Sequence, residues 1–188
     1  MKKLITLFTS SYLELNKVST ITTAAMCGAI SMVMKSMFTI MLDNTNRISL
    51  HGIPNQVVYY LFGPVVGPLY GAAMDILNYL VMPGGSYFPL FTLNAALAGL
   101  LYGLFFYKRP LNFWRVLAAE LVVMVICNLL VNTYALSLLY GKGFMALLPG
   151  RITKNIIMLP IKTILFYLVM KPLEYSGILQ VLKRPASR

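Results

Sequence analysis

The feature that most constrains this chain is a series of apolar stretches from Val18 to Met170, separated only by short polar or Gly/Pro breaks. Of its 188 residues, 59% are hydrophobic and 11% are charged, whereas a typical soluble domain carries about 25% charged residues. The mean hydropathy is +0.75. Such a chain cannot cover a soluble core with polar groups, so we predict an all-α integral membrane protein with one domain over residues 1–188.

The breaks divide the apolar region into six predicted spans, since a helix needs roughly 20 apolar residues to cross a bilayer. Gly and Pro predict a turn over 63–68 and a loop over 82–86. The second and third spans are too short to cross the hydrocarbon core upright. They either border a binding cavity, as broken helices do in transporters, or form a purely structural hairpin. The six spans are 18–42, 50–62, 69–81, 88–107, 113–139 and 149–170.

Most basic residues lie at the two termini or in the loop after the fourth span. Under the positive-inside rule, both termini then face the cytoplasm. Residues 1–17 form a cytoplasmic or interfacial lead-in without a signal-peptide cleavage site, and residues 172–188 form a basic tail. Arg47, Lys142 and Arg151 would face outward, which topology does not explain. The net charge of +11 therefore indicates membrane orientation and not nucleic-acid binding.

Small residues recur at a spacing of four along several spans. In the first span Ala25 and Ala29 share a helix face, and such a face lets another helix approach closely. This face could pack inside the bundle or contact an external partner. Glycines with the same spacing are predicted to serve internal packing or turns, namely Gly63, Gly67, Gly71, Gly99 and Gly103.

Amides, aromatic rings and cations gather near the predicted outer ends of the spans. This cluster suits a flat anionic molecule, because amides read ring edges, aromatic rings stack and cations pair with carboxylates. Asp75 should face the bundle interior, as a hydrogen-bond hub or a ligand contact. Glu120 lies near the inner end of its span, within reach of the headgroups, and no functional role is predicted for it. The candidate binding residues are Arg47, Asp75, Tyr87, Phe91, Asn94, Asn132, Tyr134, Arg151 and Asn155.

The sequence lacks the motifs of a self-powered pump. It has no G-x-x-x-x-G-K-[ST] motif for nucleotide binding, no H-E-x-x-H motif and no Cys/His cluster. His51 is the only histidine, which gives little support for a nucleophile with its base. We therefore expect no enzyme activity and no metal or other cofactor. The alternative from a different class is a membrane enzyme or structural helper with a polar outer pocket.

Several sequence blocks resemble the S components of energy-coupling factor (ECF) vitamin transporters, most closely the folate-specific ones. The resemblance covers nearly the whole chain, and its most specific blocks are PGGSYFPLFTL and the pair LLPGR and KNIIMLP. The matching blocks lie at 25–29, 47–54, 61–67, 71–75, 83–93, 99–105, 131–134 and 147–160.

The resemblance implies a six-transmembrane-helix bundle of the S-component type in a bacterial plasma membrane. Such a protein binds one vitamin, here preferably folate, in an outward-facing pocket closed by the loops after spans one, three and five. It would dock through Ala25 and Ala29 onto a transmembrane coupling subunit that carries two ATPase subunits. ATP hydrolysis would then topple the S component and open its pocket inward.

If the ligand is folate-like, the positions and chemistry of the candidate residues predict a role for each group of them. A folate-like ligand would stack on one of the aromatic rings, with its ring edges read by asparagines and its glutamate met by an arginine. Another heteroaromatic vitamin is the alternative ligand, because Asn94 replaces a smaller Ser and Tyr134 replaces a Trp-like residue of the folate members. The rings are Phe91, Tyr87 or Tyr134; the asparagines are Asn94, Asn132 or Asn155; the arginines are Arg47 or Arg151.

Overall fold

The computed structural model describes residues 2–37, 39–43, 46–49, 52–81, 87–141 and 143–175, which form a helical bundle with one short hairpin. The helices are α1 (Lys2–Glu14), α2 (Val18–Met37), α3 (Gly52–Val81), α4 (Pro89–Phe106), α5 (Phe113–Val123), α6 (Asn132–Tyr140) and α7 (Phe144–Tyr175). A π-helical segment, Met124–Val131, joins α5 to α6. Strands β1 (Thr39–Asp43) and β2 (Asn46–Ser49) pair antiparallel between α2 and α3.

Five helical stretches among the described residues are long and apolar enough to cross a membrane. They are α2, α3, α4, the continuous stretch Phe113–Tyr140, and α7. Large apolar side chains on their outer faces are exposed, for example Ile21, Leu80 and Leu168, at 62%, 68% and 64%. Apolar outer faces suit contact with lipid, since lipid tails are as apolar as leucine. The prediction of a helical membrane protein is confirmed.

Some predicted boundaries are wrong. The first span ends at Met37 and not at residue 42, because Thr39–Asp43 pairs with β2 as a strand. The predicted turn over 63–68 contains one sharp break, after which Pro64 and Pro68 are helical. The last helix begins at 144 and ends at 175, beyond the predicted 149–170 on both sides. Most of the predicted basic tail, 172–188, lies outside the described residues.

Helix α3 reverses its direction at Gly63, where φ is 83° and ψ is −161°. The rings of Tyr59 and Tyr70 lie 5.9 Å apart across this break. An unbroken helix would separate these two positions by about 16 Å along its axis. Residues 52–62 and 64–81 are therefore two antiparallel helical segments, which we call the first and second limbs of α3.

Glycine is required at the reversal for two reasons. The positive φ of Gly63 is a conformation that other residues adopt only with strain. An added Cβ would also lie 2.5 Å from the ring of Tyr107, the residue that follows α4. Pro64 then opens the second limb at a position where its missing N–H costs no helical hydrogen bond. Sequence and contacts thus fix the reversal at one residue.

The second limb packs against α4 with the two backbones in direct contact. An added Cβ at Gly67, Gly71, Gly99 or Gly103 would lie within 3 Å of backbone atoms of the opposite segment. Small residues permit such close approach, and the prediction that these glycines serve internal packing is confirmed. The contacting pairs are Gly63 with Gly103, Gly67 with Gly99, and Gly71 with Ala95.

Helix α1, which was predicted as a lead-in, packs on the reversal of α3. Ser11 is fully buried, and its Oγ donates to the carbonyl oxygen of Phe62 at 2.6 Å. Ser11 Oγ also accepts from the backbone N–H of Val65 at 3.0 Å. Helix ends leave backbone groups without intrahelical partners. Ser11 therefore caps the end of one limb and the beginning of the next from a separate helix.

We expect Ser11→Ala to lower the free energy of unfolding by about 1–3 kcal/mol, because it leaves buried backbone groups without their partner. Thermal unfolding in detergent micelles measures the change. Ser10→Ala is the matched control, since Ser10 is partly exposed on the same helix. Equal unfolding temperatures for the two variants would contradict the capping role of Ser11.

Candidate functional site

A cavity of about 360 Å³ lies between the two limbs of α3, α4, the π-helical segment and α7. Its volume falls in the range of about 300–1,000 Å³ that is typical of small-molecule sites. Three aromatic rings, those of Tyr59, Phe91 and Tyr102, line it together with the cation of Lys162. Its other polar lining residues are Asn55, Gln56, Asp75, Asn94, Asn128 and Asn132.

Four of the nine predicted binding residues line this cavity: Asp75, Phe91, Asn94 and Asn132. They come from the second limb of α3, from the first turns of α4 and from the start of α6. Each lies within about two turns of a helix end that adjoins a connection predicted to face outward. The polar cluster predicted near one depth of the bundle therefore corresponds, in part, to the lining of this cavity.

Asp75 is both a hydrogen-bonded residue and part of the cavity wall. Its Oδ2 accepts from Thr92 Oγ1 at 2.8 Å. The hydroxyl of Tyr87 lies 2.8 Å from the same Thr92 Oγ1, and the Tyr87 ring packs against Tyr79 at 5.2 Å. Both sequence interpretations of Asp75 thus have a geometric basis. Tyr87 does not line the cavity and is linked to it through Thr92 and Asp75.

Arg151 does not line the cavity. It is 6% exposed, and its Nη1 donates to the carbonyl oxygen of Asn128 at 3.3 Å and to Thr133 Oγ1 at 3.1 Å. These bonds tie α7 to the π-helical segment. Asn155 does not line the cavity either, and its Nδ2 donates to the carbonyl oxygen of Arg151 at 2.9 Å.

Tyr134 lies on the outer surface with 55% of its side chain exposed. It follows Asn132 by two residues, which corresponds to about 200° around an α-helix, so the two side chains face opposite sides. The backbone of Arg47 belongs to β2. Its side chain lies outside the described residues, as do the predicted features at His51 and Lys142.

The π-helical segment presents amides to the cavity. Such helices are rare and occur frequently at functional sites. Asn128 lies inside the segment and Asn132 directly after it, and both line the cavity. The amide of Asn132 therefore follows a local widening of the helix, which Arg151 holds through the Asn128 carbonyl oxygen.

Glu120 lies beneath the cavity, and the prediction that it reaches the headgroups is wrong. It is 4% exposed. Gln56 Nε2 donates to its Oε1 at 2.5 Å, and the hydroxyl of Tyr102 donates to its Oε2 at 2.9 Å. Lys162 interacts with it electrostatically. Glu120 lies about 10 Å along the helix from Phe113, deep enough to meet the first limb.

Two acceptors at the cavity have no hydrogen-bond partner among the described residues. They are Oε1 of Gln56 and Oδ1 of Asn94, and both atoms are buried. A buried polar atom without a partner costs free energy, so such atoms are uncommon in folded proteins. Donors from a bound ligand would satisfy both of them.

The chain matches the family model described as "ECF transporter, substrate-specific component" over residues 19–170. It belongs to this family. The matched region contains every lining residue of the cavity.

Similar proteins include folate transporters. The FolT of Clostridium novyi is 39% identical over 121 residues, which cover 64% of this chain and 70% of that relative. The FolT of Leuconostoc mesenteroides is 28% identical over 133 residues, covering 68% and 72%. A crystal structure of FolT bound with folic acid has a TM-score of 0.75 and 33% identity, covering 81% of this chain and 92% of that one. The S component therefore shares the fold of that structure.

The small-residue face of this S component points away from the bundle. Ala25 and Ala29 on α2 are both exposed. Gly28 instead faces the second limb of α3, where an added Cβ would approach the side chains of Met74 and Tyr70. In the described part of the chain, α2 thus packs against α3 through Gly28, and Ala25 and Ala29 stay exposed for contact with lipid or a partner.

Several residues in or beneath the cavity were not predicted from the sequence, although two of them carry a signal that could have found them. Lys162 is a cation in the middle of an apolar helix, where a charge by itself indicates a functional site. Glu120 carries the same signal but was assigned to the headgroups. Gln56, Tyr59 and Tyr102 gave no such signal, because single amides and tyrosines are common in ordinary helix packing.

Proposed function

We propose that this S component is the substrate-binding subunit of an ECF-type importer and captures folate from outside the cell. The observation that carries the proposal is the cavity, which combines stacking surfaces with buried amide acceptors that have no partner among the described residues. Relatives that share the family are named folate transporters, which supports folate as the ligand.

We further propose six membrane passes, with both termini in the cytoplasm of a bacterial cell. The reversal at Gly63 supports this count, because it turns α3 into two limbs that enter the bundle separately. The cavity then opens on the outer side, and the basic residues Lys108 and Arg109 after α4 face the cytoplasm, as the positive-inside rule requires.

The proposed pose uses the residues that line the cavity. Phe91 offers a face for the flat heteroaromatic ring, and Asn94 and Asn132 read its edges. Arg47, from the hairpin that precedes the first limb, is the proposed partner of the glutamate tail. Arg151 acts on the site through the π-helical segment.

Delivery requires partners in this proposal. The S component docks on a transmembrane coupling subunit, which joins it to two ATPase subunits, and it topples when ATP is hydrolysed. The exposed face formed by Ala25 and Ala29 supports such docking, because small side chains let a partner helix approach closely. The subunit itself carries out no chemical reaction.

We expect purified protein to bind folate saturably at micromolar concentration, as measured by isothermal titration calorimetry in detergent. Asn94→Ala should weaken binding about 10-fold, because it removes an acceptor that the ligand satisfies. Asn16→Ala is the matched control, since Asn16 is exposed between α1 and α2. Saturable binding of a different heteroaromatic vitamin, with none of folate, would replace folate as the proposed substrate.

A further inference from the structure

Glu120 accepts hydrogen bonds from Gln56 and Tyr102, two lining residues that we call the cavity floor. Its Oε1 accepts from Gln56 Nε2 at 2.5 Å, and its Oε2 accepts from the Tyr102 hydroxyl at 2.9 Å. Glu120 is 4% exposed and does not line the cavity itself. It can therefore act on a ligand in this cavity only through Gln56 and Tyr102.

These bonds decide which atoms the floor presents. An ionised carboxylate can only accept hydrogen bonds, so Gln56 must turn its Nε2 toward Glu120 and its Oε1 away. That Oε1 is buried and without a partner among the described residues. The hydroxyl of Tyr102 has a single hydrogen, which Glu120 holds, so its oxygen can only accept from a ligand.

Three groups around Glu120 favour its carboxylate form against the cost of burial, and ring packing fixes the floor. Gln56 and Tyr102 donate hydrogen bonds to it, and Lys162, which lines the same cavity, attracts its charge. Tyr59 stacks on Tyr102 at 5.9 Å with the rings nearly parallel. This contact holds the Tyr102 ring, so its hydroxyl has little freedom to leave Glu120.

We infer that Glu120 is a positioning residue that makes the cavity floor a surface of hydrogen-bond acceptors, and that this floor selects a ligand whose deepest edge carries N–H donors. The inference rests on the proposed function for the identity of the ligand. The 2-amino-4-oxo edge of folate presents adjacent donors from its 2-amino group and from the neighbouring ring N–H. An analogue with oxygen in place of the 2-amino group would set an acceptor against acceptors.

The test compares the affinities of folate and its 2-oxo analogue for the purified S component, measured by calorimetry. We expect the wild type to prefer folate by about 100-fold, since the analogue leaves buried acceptors of the site without a donor. In Glu120→Gln, the new amide can donate, so Gln56 or Tyr102 can turn a donor into the cavity. We expect the preference to fall at least about tenfold, with weaker folate binding and tighter analogue binding.

Glu174→Gln is the charge-matched control, because Glu174 is exposed near the end of α7; it should keep the wild-type preference. Equal weakening of both ligands in Glu120→Gln would show a merely structural role and overturn the inference, as would an unchanged preference. If Glu120→Gln does not fold, Gln56→Met replaces it and must lose the preference in the same way. Absence of folate binding to the wild type would instead overturn the proposed function, and this inference with it.

Discussion

Replacing Gly99 by alanine is expected to destabilise the bundle by about 3 kcal/mol, the upper end of the usual cost of overpacking. The added Cβ would lie 2.6 Å from the carbonyl carbon of Gly67 and 3.0 Å from the backbone nitrogen of Pro68. Both atoms belong to the backbone, so no side-chain rotation can relieve the clash. Thermal unfolding in detergent should show a clear loss of stability.

Gly143→Ala is the matched control for Gly99→Ala. Among the described residues, no atom outside its own chain neighbours lies within 4 Å of a Cβ placed at Gly143, so the same methyl group enters open space there. Its unfolding temperature should stay close to that of the wild type. A Gly99→Ala protein as stable as Gly143→Ala would mean that the second limb and α4 do not touch through their backbones.

The membrane class and most of the helix positions could be predicted from the sequence, because apolar length and Gly/Pro breaks act locally. The reversal of α3 illustrates how far this extends. The turn signal over 63–68 correctly indicated a break, but only contacts with Tyr107 and between the limbs identify Gly63 as the single reversing residue. Pro68, which carries an equally strong local signal, lies inside a helix.

The cavity could be predicted only in part, because its lining depends on rotation about each helix and on contacts between distant segments. Asn132 and Tyr134 are two residues apart and equally plausible in sequence, yet one lines the cavity and the other is exposed. Glu120 was predicted to reach the headgroups because it lies near the inner end of its span. Its role follows from partners 64 and 18 residues away, Gln56 and Tyr102, which no local pattern reveals.

The same reasoning applies to α1. Its sequence, with basic residues around an apolar patch, predicts a lead-in segment. The buried contact of Ser11 with Phe62 joins residues 51 positions apart, so it depends on the complete fold. In each case the sequence does not identify the distant partner. Each such partner is a buried backbone or side-chain polar group that requires a hydrogen bond.

Introducing leucine at both Ala25 and Ala29 is expected to abolish folate uptake in a reconstituted complex while leaving folate binding by the S component unchanged. Both side chains are exposed on α2, so larger apolar groups there meet lipid and not the bundle. A helix interface built on small residues requires close backbone approach, which two leucines would prevent. Uptake into vesicles that contain the coupling subunit and ATPases measures the first effect, and calorimetry on the isolated subunit measures the second.

Ala118→Leu separates docking from a general effect of bulk at the lipid surface. Ala118 is an exposed alanine on α5, and its variant should transport folate at the wild-type rate. Transport by the Ala25→Leu, Ala29→Leu protein would exclude this face of α2 as the docking surface. Loss of folate binding in that protein would show instead that α2 supports the cavity from outside, because the cavity lining contains no residue of α2. Loss of transport with intact binding is the one result that assigns the face to a partner helix.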